Sequence, residues 1–500
     1  MGLDQSLCTS ILFLALLVSS THMIVAQPVN VLMANLSSSW TNLPLENKTN
    51  IDFTAFSIVL IGGGFAPKFF CGFYCEKFQN YSNDKCLFSV VITSPDQDYW
   101  GTNDSMLISP TVVWSANRDS PVDVNAVLKL TDDGDLVLED EDGTFVWSTN
   151  TSGKQVSGMH LTEMGNLVLF DSNNARVWQS FDHPTDSLVF GQQLFSSQKL
   201  TASLSTSNPS RGIHSLAVDD GSLVAYIESN PRQVYFEDEN QYTSVQLENG
   251  SFGSFKFSPA ATTQFVKLDP NGHLSVYGWT GRGIGWEPVE DLLSRDVSRC
   301  LYPMVCGKYG ICSNEQCRCA EPVPGEKSFF NQTDFSQPNH GCSLLTPLSC
   351  YDSQHYSLLE LKNTTYFGFK SNLNDDERIE VEDCKNTCLN NCSCKAVVFM
   401  SDWGSSNGVC HLLYEVFSLK DMSGEVMSQN SCVFLKVSLF SPRRIPIILG
   451  YILGTVFGML IPAGACFLIF KRITKSNEVV EDYSYQVPRE KNVNKGNKEI

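Results

Sequence analysis

Residues 129–150 read KLTDDGDLVLEDEDGTFVWSTN. Seven carboxylates are interleaved with alternating apolar residues, and the run closes on a Trp. Such alternation marks a strand with one wet face and one buried face. Gly134 lies between the two alternating arms, where a tight turn demands a positive φ. Three readings fit these residues: a calcium loop, a sugar-binding strand, or the solvent face of a hairpin. A helical calcium loop needs acidic or amide residues at alternate positions before its Gly and a Glu six residues after it. Here Asp132, Asp133 and Asp135 straddle Gly134, and Leu136-Val137-Leu138 follows at once, so the calcium reading fails on spacing.

The run is repeated. LKLTDDGDLVL (128–138) and MHLTEMGNLVL (159–169) place Gly134 over Gly165, while VWSTN (146–150) and VWQSF (177–181) place Trp147 over Trp178. Both offsets are 31 residues. VVWSAN (112–117) supplies an earlier Trp114, and weaker echoes stand at LAVDDGSLVAY (216–226) and VKLDPNGHLSVY (266–277). Repetition of strand, Gly-centred turn, strand and Trp corner predicts an all-β unit with approximate rotational symmetry. At these offsets Trp114, Trp147 and Trp178 are expected in the internal core, although an indole face also suits a sugar ring.

Outward from this region, 500 residues suggest three or four domains at about 150 residues each. A net charge of −19 argues against nucleic acid, whose phosphates call for a basic surface. The apolar run ILFLALLV (11–18) predicts a signal peptide over 1–26. A second apolar run at 445–470 predicts a single transmembrane helix. Glycosylation sequons occur at Asn35, Asn47, Asn80, Asn103, Asn150, Asn249, Asn331, Asn363 and Asn391, all before that span. Lys475, Arg489, Lys491, Lys495 and Lys498 follow it. The expected disposition is single-pass type I at the plasma membrane, N-terminal part extracellular, with 471–500 as a cytoplasmic tail. Gly450, Gly454 and Gly458 would share one helix face and admit a second helix, from a homodimer or a partner receptor kinase.

Eighteen cysteines include Cys8 in the signal and Cys466 in the span, leaving sixteen in an oxidising compartment. Disulfides are their expected use; scarce neighbouring His argues against zinc, and no metal or cofactor is expected. Three fall at Cys71, Cys75 and Cys86, none follow until Cys300, and thirteen more end at Cys432. The cysteine-free stretch must bury its own core, while the later region is stapled. Eight scattered histidines offer no catalytic constellation, and His183 in FDHPTD reads as a turn cap.

WSANRDSPV (114–122), the repeated L-x-x-x-G-x-L-V-L lines and VWQSFDHPTDSLVFGQQL (177–194) resemble the bulb-type lectin region of plant S-locus glycoproteins and G-type lectin S-receptor-like proteins. CLYPMVCGKYGICSNEQCRC (300–319) is similar to that family's EGF-like module, with Cys300, Cys306, Cys312, Cys317, Cys319 and, downstream, Cys342. VEDCKNTCLNNCSCKAVVF (381–399), with Cys410 and Cys432 beyond it, is similar to its PAN/apple domain. The resemblance is collinear over roughly residues 50–437. It implies a mainly β chain: tandem bulb-lectin β-prism units at 50–180 and 181–290, an EGF-like module at 296–343 and a PAN/apple domain at 350–437. Analogy with PAN domains pairs Cys388 with Cys394 and Cys384 with Cys410. The three early cysteines and the seven remaining late ones are odd groups, which implies one bridge between regions or a free thiol in each.

Bulb-type lectins of this family bind mannose through a strand written Gln-x-Asp-x-Asn-x-Val-x-Tyr, whose alternation puts all five side chains on one face. The first repeat places Thr131, Asp133, Asp135, Val137 and Glu139 there; the second places Thr162, Met164, Asn166, Val168 and Phe170; the echo near 270 places Asp269, Asn271, His273, Ser275 and Tyr277. Carbohydrate contact would therefore fall to Asp133, Asp135, Val137, Asn166, Val168 and Tyr277. Each line has lost several polar partners, and a site that cannot satisfy buried hydroxyls discriminates poorly. The expectation is that the strands pack a prism and bind no mannose at these positions.

Related kinases continue past the membrane into a large catalytic domain; only thirty residues follow Phe470 here, without a Gly-rich loop, His-Arg-Asp or Asp-Phe-Gly. The order resembles kinase-less, PAN domain-containing receptor-like proteins of plants. That implies a non-enzymatic surface glycoprotein recognising a glycan, peptide or protein, as co-receptor or decoy for a receptor kinase. The alternative is a cell-wall or adhesion glycoprotein.

Overall fold

The computed structural model describes residues 32–42, 55–62, 69–76, 85–94, 110–259, 264–279, 285–320, 328–350, 356–368, 378–425, 429–439 and 465–472. The expected signal peptide, Gly450, Gly454, Gly458 and most of the 445–470 span lie outside these residues. A short exposed helix occupies 465–472, and among the described residues no helix is long and apolar enough to cross a membrane.

Twelve strands form three antiparallel four-stranded sheets around one core. The first sheet joins Ala55–Ile61, Phe69–Glu76, Lys85–Ile92 and Thr111–Ser115. The second joins Ser38–Thr41, Val127–Leu130, Leu136–Glu139 and Phe145–Ser148; the third joins Met33–Asn35, Val156–Leu161, Leu167–Asp171 and Arg176–Gln179. The unit therefore takes in residues 33–41, ahead of residue 50, where the sequence reading opens it. Inward residues from all three sheets, including Phe88, Leu128, Leu138, Met159 and Leu169, are fully buried in a common cluster. Alternation thus has its expected consequence: Leu136 and Leu138 point in while Val137 and Glu139 stay half-buried.

The repeats share their turns as well as their strands. Thr131 N–H donates to Asp135 O at 2.9 Å and Gly134 N–H to Thr131 O at 3.1 Å; Thr162 N–H donates to Asn166 O at 2.9 Å and Gly165 N–H to Thr162 O at 3.0 Å. Gly134 and Gly165 take φ of 86° and 82°. Beyond the turns, Trp114, Trp147 and Trp178 lie opposite Val90, Leu138 and Leu169, and each pairing is followed at once by a shift of register. A bulge bends its strand and re-aims side chains. Here the three bends bring the indoles together, with ring centroids 6.0–6.1 Å apart.

A second set of three four-stranded sheets spans Ser187–Asp291. Its register shifts at Ala225/Tyr226 and Val276/Tyr277 repeat the same device. One apolar cluster continues from Leu188 and Phe236 in this unit, through Tyr302 and Phe330, to Val398 and Val433 near the chain's far end.

The last sheet orders Tyr356–Lys362, Asn430–Ser438, Ala396–Ser401, Asn407–Leu413 and Ile379–Glu380, with the helix Val381–Asn390 against it. Glu382 and Asp383 in the first turn suit the helix dipole. At the other end, the buried Lys436 ammonium donates to the carbonyls of Cys388 at 3.1 Å, Leu389 at 3.3 Å and Asn391 at 3.0 Å. Cys384 is bonded to Cys410, Cys388 to Cys394 and Cys350 to Cys392. Ahead of the sheet, Cys300 is bonded to Cys312, Cys306 to Cys317 and Cys319 to Cys342, while Cys75 is bonded to Cys86. Of the two readings of the odd cysteine groups, the structure takes the second: Cys71 and Cys432 are free, one in each group.

Candidate functional site

The motif strands are built, and their polar side chains are bonded to other protein groups, on the surface for Asp133 and half-buried for Asp135 and Asn166. Asp133 accepts from Thr131 Oγ1 at 2.5 Å and from the Ser152 hydroxyl. The Ser152 hydroxyl, then that of Thr131, holds the Asp133 carboxyl below its usual range. Asp135 Oδ1 accepts from Thr149 Oγ1 at 2.8 Å and Thr151 N–H at 3.0 Å. Asn166 donates to Gln179 Oε1 at 2.7 Å and accepts from Ser180 Oγ and Phe181 N–H, both at 3.3 Å. Val137 is half-buried and Val168 buried. Glu139, at the Tyr position, pairs with Lys129 at 2.5 Å. The strands bring these side chains together in register, yet most of their hydrogen-bonding capacity is internal.

The third line differs. Tyr277 donates to Asp269 Oδ1 at 2.8 Å and Ser275 to Asp269 Oδ2 at 2.5 Å. Burial raises the Asp269 carboxyl above its ordinary value despite those two bonds. Asp269 and Tyr277 line a cavity of about 260 Å³ between the two three-sheeted units, with Arg118, Asp186 and Lys267. Burial pushes Asp186 up, but Lys267 at 3.5 Å, Arg118 and the hydroxyls of Ser187 and Ser203 outweigh it and hold the carboxyl low. The sequence reading assigns Arg118, Asp186 and Lys267 no role, because a charge at a junction carries no periodic signal. Arg118 does stand inside WSANRDSPV, the only available hint.

A larger cavity, about 550 Å³, opens beside the Trp cluster where the two units meet. Trp114 is buried and donates its indole N–H to the His183 carbonyl at 2.8 Å, whereas Trp147 and Trp178 are half-buried. His183 itself stacks on Trp178 with centroids 5.3 Å apart, so it covers an indole as well as closing the turn. Asn117, Asp119, Asn150 and Arg211 are among its other lining residues.

Of the sequons, Asn35, Asn150, Asn249 and Asn331 are exposed, Asn363 and Asn391 are half-buried, and Asn47, Asn80 and Asn103 lie outside the described residues. Among the described residues no group of three or more His, Cys, Asp or Glu is placed to hold a metal ion.

The D-mannose binding lectin family matches residues 111–210, from the last strand of the first sheet into the second unit, and the PAN-like domain family matches residues 350–412. EP1-like glycoprotein 4 of Arabidopsis thaliana is 30% identical over 346 residues, covering 61% of this chain and 74% of that protein. EP1-like glycoprotein 3 of the same plant is also 30% identical over 346 residues, covering 61% and 75%. A G-type lectin S-receptor-like serine/threonine-protein kinase of Arabidopsis thaliana is 28% identical over 358 residues, covering 66% of this chain and 39% of that protein. The chain thus spans about two fifths of the receptor kinase it matches. With its Trp corners, Gly turns and PAN-type sheet in that shared order, the chain belongs to the plant bulb-type lectin glycoprotein family that holds the EP1-like glycoproteins and the G-type lectin S-receptor-like proteins.

Proposed function

We propose that this chain is a cell-surface, receptor-like glycoprotein that recognises an extracellular glycan away from the mannose-type strands, without catalysis of its own. One observation carries the reading: the lectin scaffold is kept while Asp135 and Asn166 spend their polar atoms on half-buried protein partners and the exposed Asp133 is bonded to Thr131 and Ser152. The three-sheeted unit at 187–291 reads as a second lectin-type unit. Cysteines 300–342 pair wholly among themselves, which supports an EGF-like module over 296–343. The apolar run at 445–470 serves as the plasma-membrane anchor, and Gly450, Gly454 and Gly458 as the face for a partner receptor kinase, for which this chain acts as co-receptor or decoy.

A glycan array with the full chain tests recognition. Binding that survives Asp133→Ala is expected; mannose-specific binding abolished by Asp133→Ala would instead make the first repeat the site. For the membrane role, deletion of 471–500 combined with Gly454→Ile should abolish kinase-dependent signalling. Function left intact by that change would favour the adhesion reading.

A further inference from the structure

We infer that the 550 Å³ cavity beside Trp147 and Trp178 is a binding site for a pyranose sugar. The inference rests on the glycan-recognition reading above and gives it a location. Trp packing alone does not explain this end of the unit. Trp114 is buried and its N–H is satisfied, but the N–H groups of Trp147 and Trp178 find no acceptor among the described residues. Indole N–H groups at half-buried sites ordinarily find partners, and sugar hydroxyls supply them while the ring's C–H face packs on the aromatic surface. The rim adds directed donors. Arg211 uses Nε on Asp119 Oδ2 at 3.1 Å, and its two Nη groups have no partner among the described residues. An aromatic floor with a few convergent polar groups, at a volume within the roughly 300–1,000 Å³ of small-ligand sites, is the make-up such sites share.

The cavity differs from the motif strands in residues and in state. Asp133 and Asn166 are internally bonded, while the Trp147, Trp178 and Arg211 donors are open. Asn150 lines the same cavity, is exposed, and begins the sequon Asn150-Thr151-Ser152 three residues after Trp147. A pyranose can therefore arrive from two sources: a free saccharide, or the first sugar of an N-glycan on Asn150.

The test is a tryptophan-fluorescence titration of the full chain, purified from plant cells, with N-acetylglucosamine and with mannose. A saturable shift in indole emission is expected, weakened at least about tenfold by Arg211→Ala and unchanged by Asp133→Ala, with unaltered melting temperatures. If the chain's own glycan fills the cavity, the shift appears only in Asn150→Gln, and enzymatic removal of glycans alters wild-type emission; that outcome also upholds the site and names the source. Absence of any shift in both wild type and Asn150→Gln overturns the inference, as does a shift indifferent to Arg211→Ala. Array binding that ignores Arg211→Ala would leave the receptor reading standing and remove only the cavity.

Discussion

Asp135 and Asn166 stand 31 residues apart and hold the same corner of two neighbouring sheets. Asp135 Oδ1 takes the Thr149 hydroxyl and the Thr151 N–H, and Asn166 Oδ1 takes the Ser180 hydroxyl and the Phe181 N–H. The hydroxyls return the bond, since Leu136 N–H donates to Thr149 Oγ1 at 3.1 Å and Leu167 N–H to Ser180 Oγ at 3.0 Å. A position that the family's motif gives to sugar here ties each Trp corner to its hairpin. Asp135→Ala and Asn166→Ala should each cost about 1–3 kcal/mol, the penalty for stranding half-buried donors. Urea unfolding measures this. Glycan binding by the folded variants should be unchanged, and lost binding at full stability would return the residue to a ligand role.

Two glycines with the same φ separate backbone strain from packing. Gly165 and Gly143 both sit at φ 82°, but a Cβ on Gly165 would stand 2.5 Å from Phe69 Cδ1, whereas one on Gly143 meets nothing within 4 Å. Gly143→Ala should cost about 1 kcal/mol for the left-handed backbone alone. Gly165→Ala should cost at least about 2 kcal/mol more, because an aromatic ring from the neighbouring sheet must move. Equal losses in thermal unfolding of the two variants would remove Phe69 from the account.

Arg118 fastens the two three-sheeted units. Its Nε donates to Pro209 O and its Nη1 to Thr201 O, both at 2.8 Å, while Nη2 reaches Ser203 Oγ at 3.3 Å. Burial lowers its pKa, against the pull of Asp186 and Asp119. Arg118→Ala should cost about 3 kcal/mol, since two carbonyls lose their donor and the buried Asp186 is left with Lys267 as its one neighbouring cation among the described residues. Arg118→Lys should recover less than half, because one ammonium cannot span a planar fork. Calorimetry of both variants reads the effect, and full recovery with Lys would show that charge alone matters.

Strand periodicity and Gly turns were legible because they are local: the 31-residue offset reappears as matching turns, matching bulges and Trp147 over Trp178. The mainly β class, the lectin-type region and the PAN-type region follow from patterns that repeat or keep a cysteine spacing. What sequence did not disclose is set by contacts between distant segments. Met33–Asn35 is too short to show a period, yet it completes a sheet with Val156–Leu161. Asp133 keeps the motif's residue type, but its bond from Ser152, nineteen residues away, has no counterpart in the strand pattern. Arg118, Asp186 and Lys267 converge only because two units abut, and no spacing rule foretells that.

The junction between the second unit and the stapled module should respond to acid. His214 is buried against Tyr235, with centroids 6.0 Å apart, and beside Gly272 and His273. Facing them, His273 Nδ1 meets Asp291 Oδ2 at 2.7 Å and its ring stacks on Tyr302 at 3.8 Å, while the Tyr302 hydroxyl donates to the same carboxylate at 2.8 Å. Burial pushes the His214 pKa down to about 4, outweighing the Pro270 carbonyl, and nearby His273 pushes the same way. An unfolded His titrates near 6.5, so the unfolded chain binds more protons between about 6.5 and 4. The stabilising effect of a neutral His214 is therefore complete above about pH 6.5, falls as pH drops through that window, and levels below about 4, a loss of at most about 3 kcal/mol. Urea unfolding at a series of pH values should show that slope in wild type and a flatter profile in His214→Asn. Parallel profiles for the two proteins would shift the acid response to Asp291, whose carboxyl His273 and Tyr302 hold low against burial and which would act only near and below pH 4.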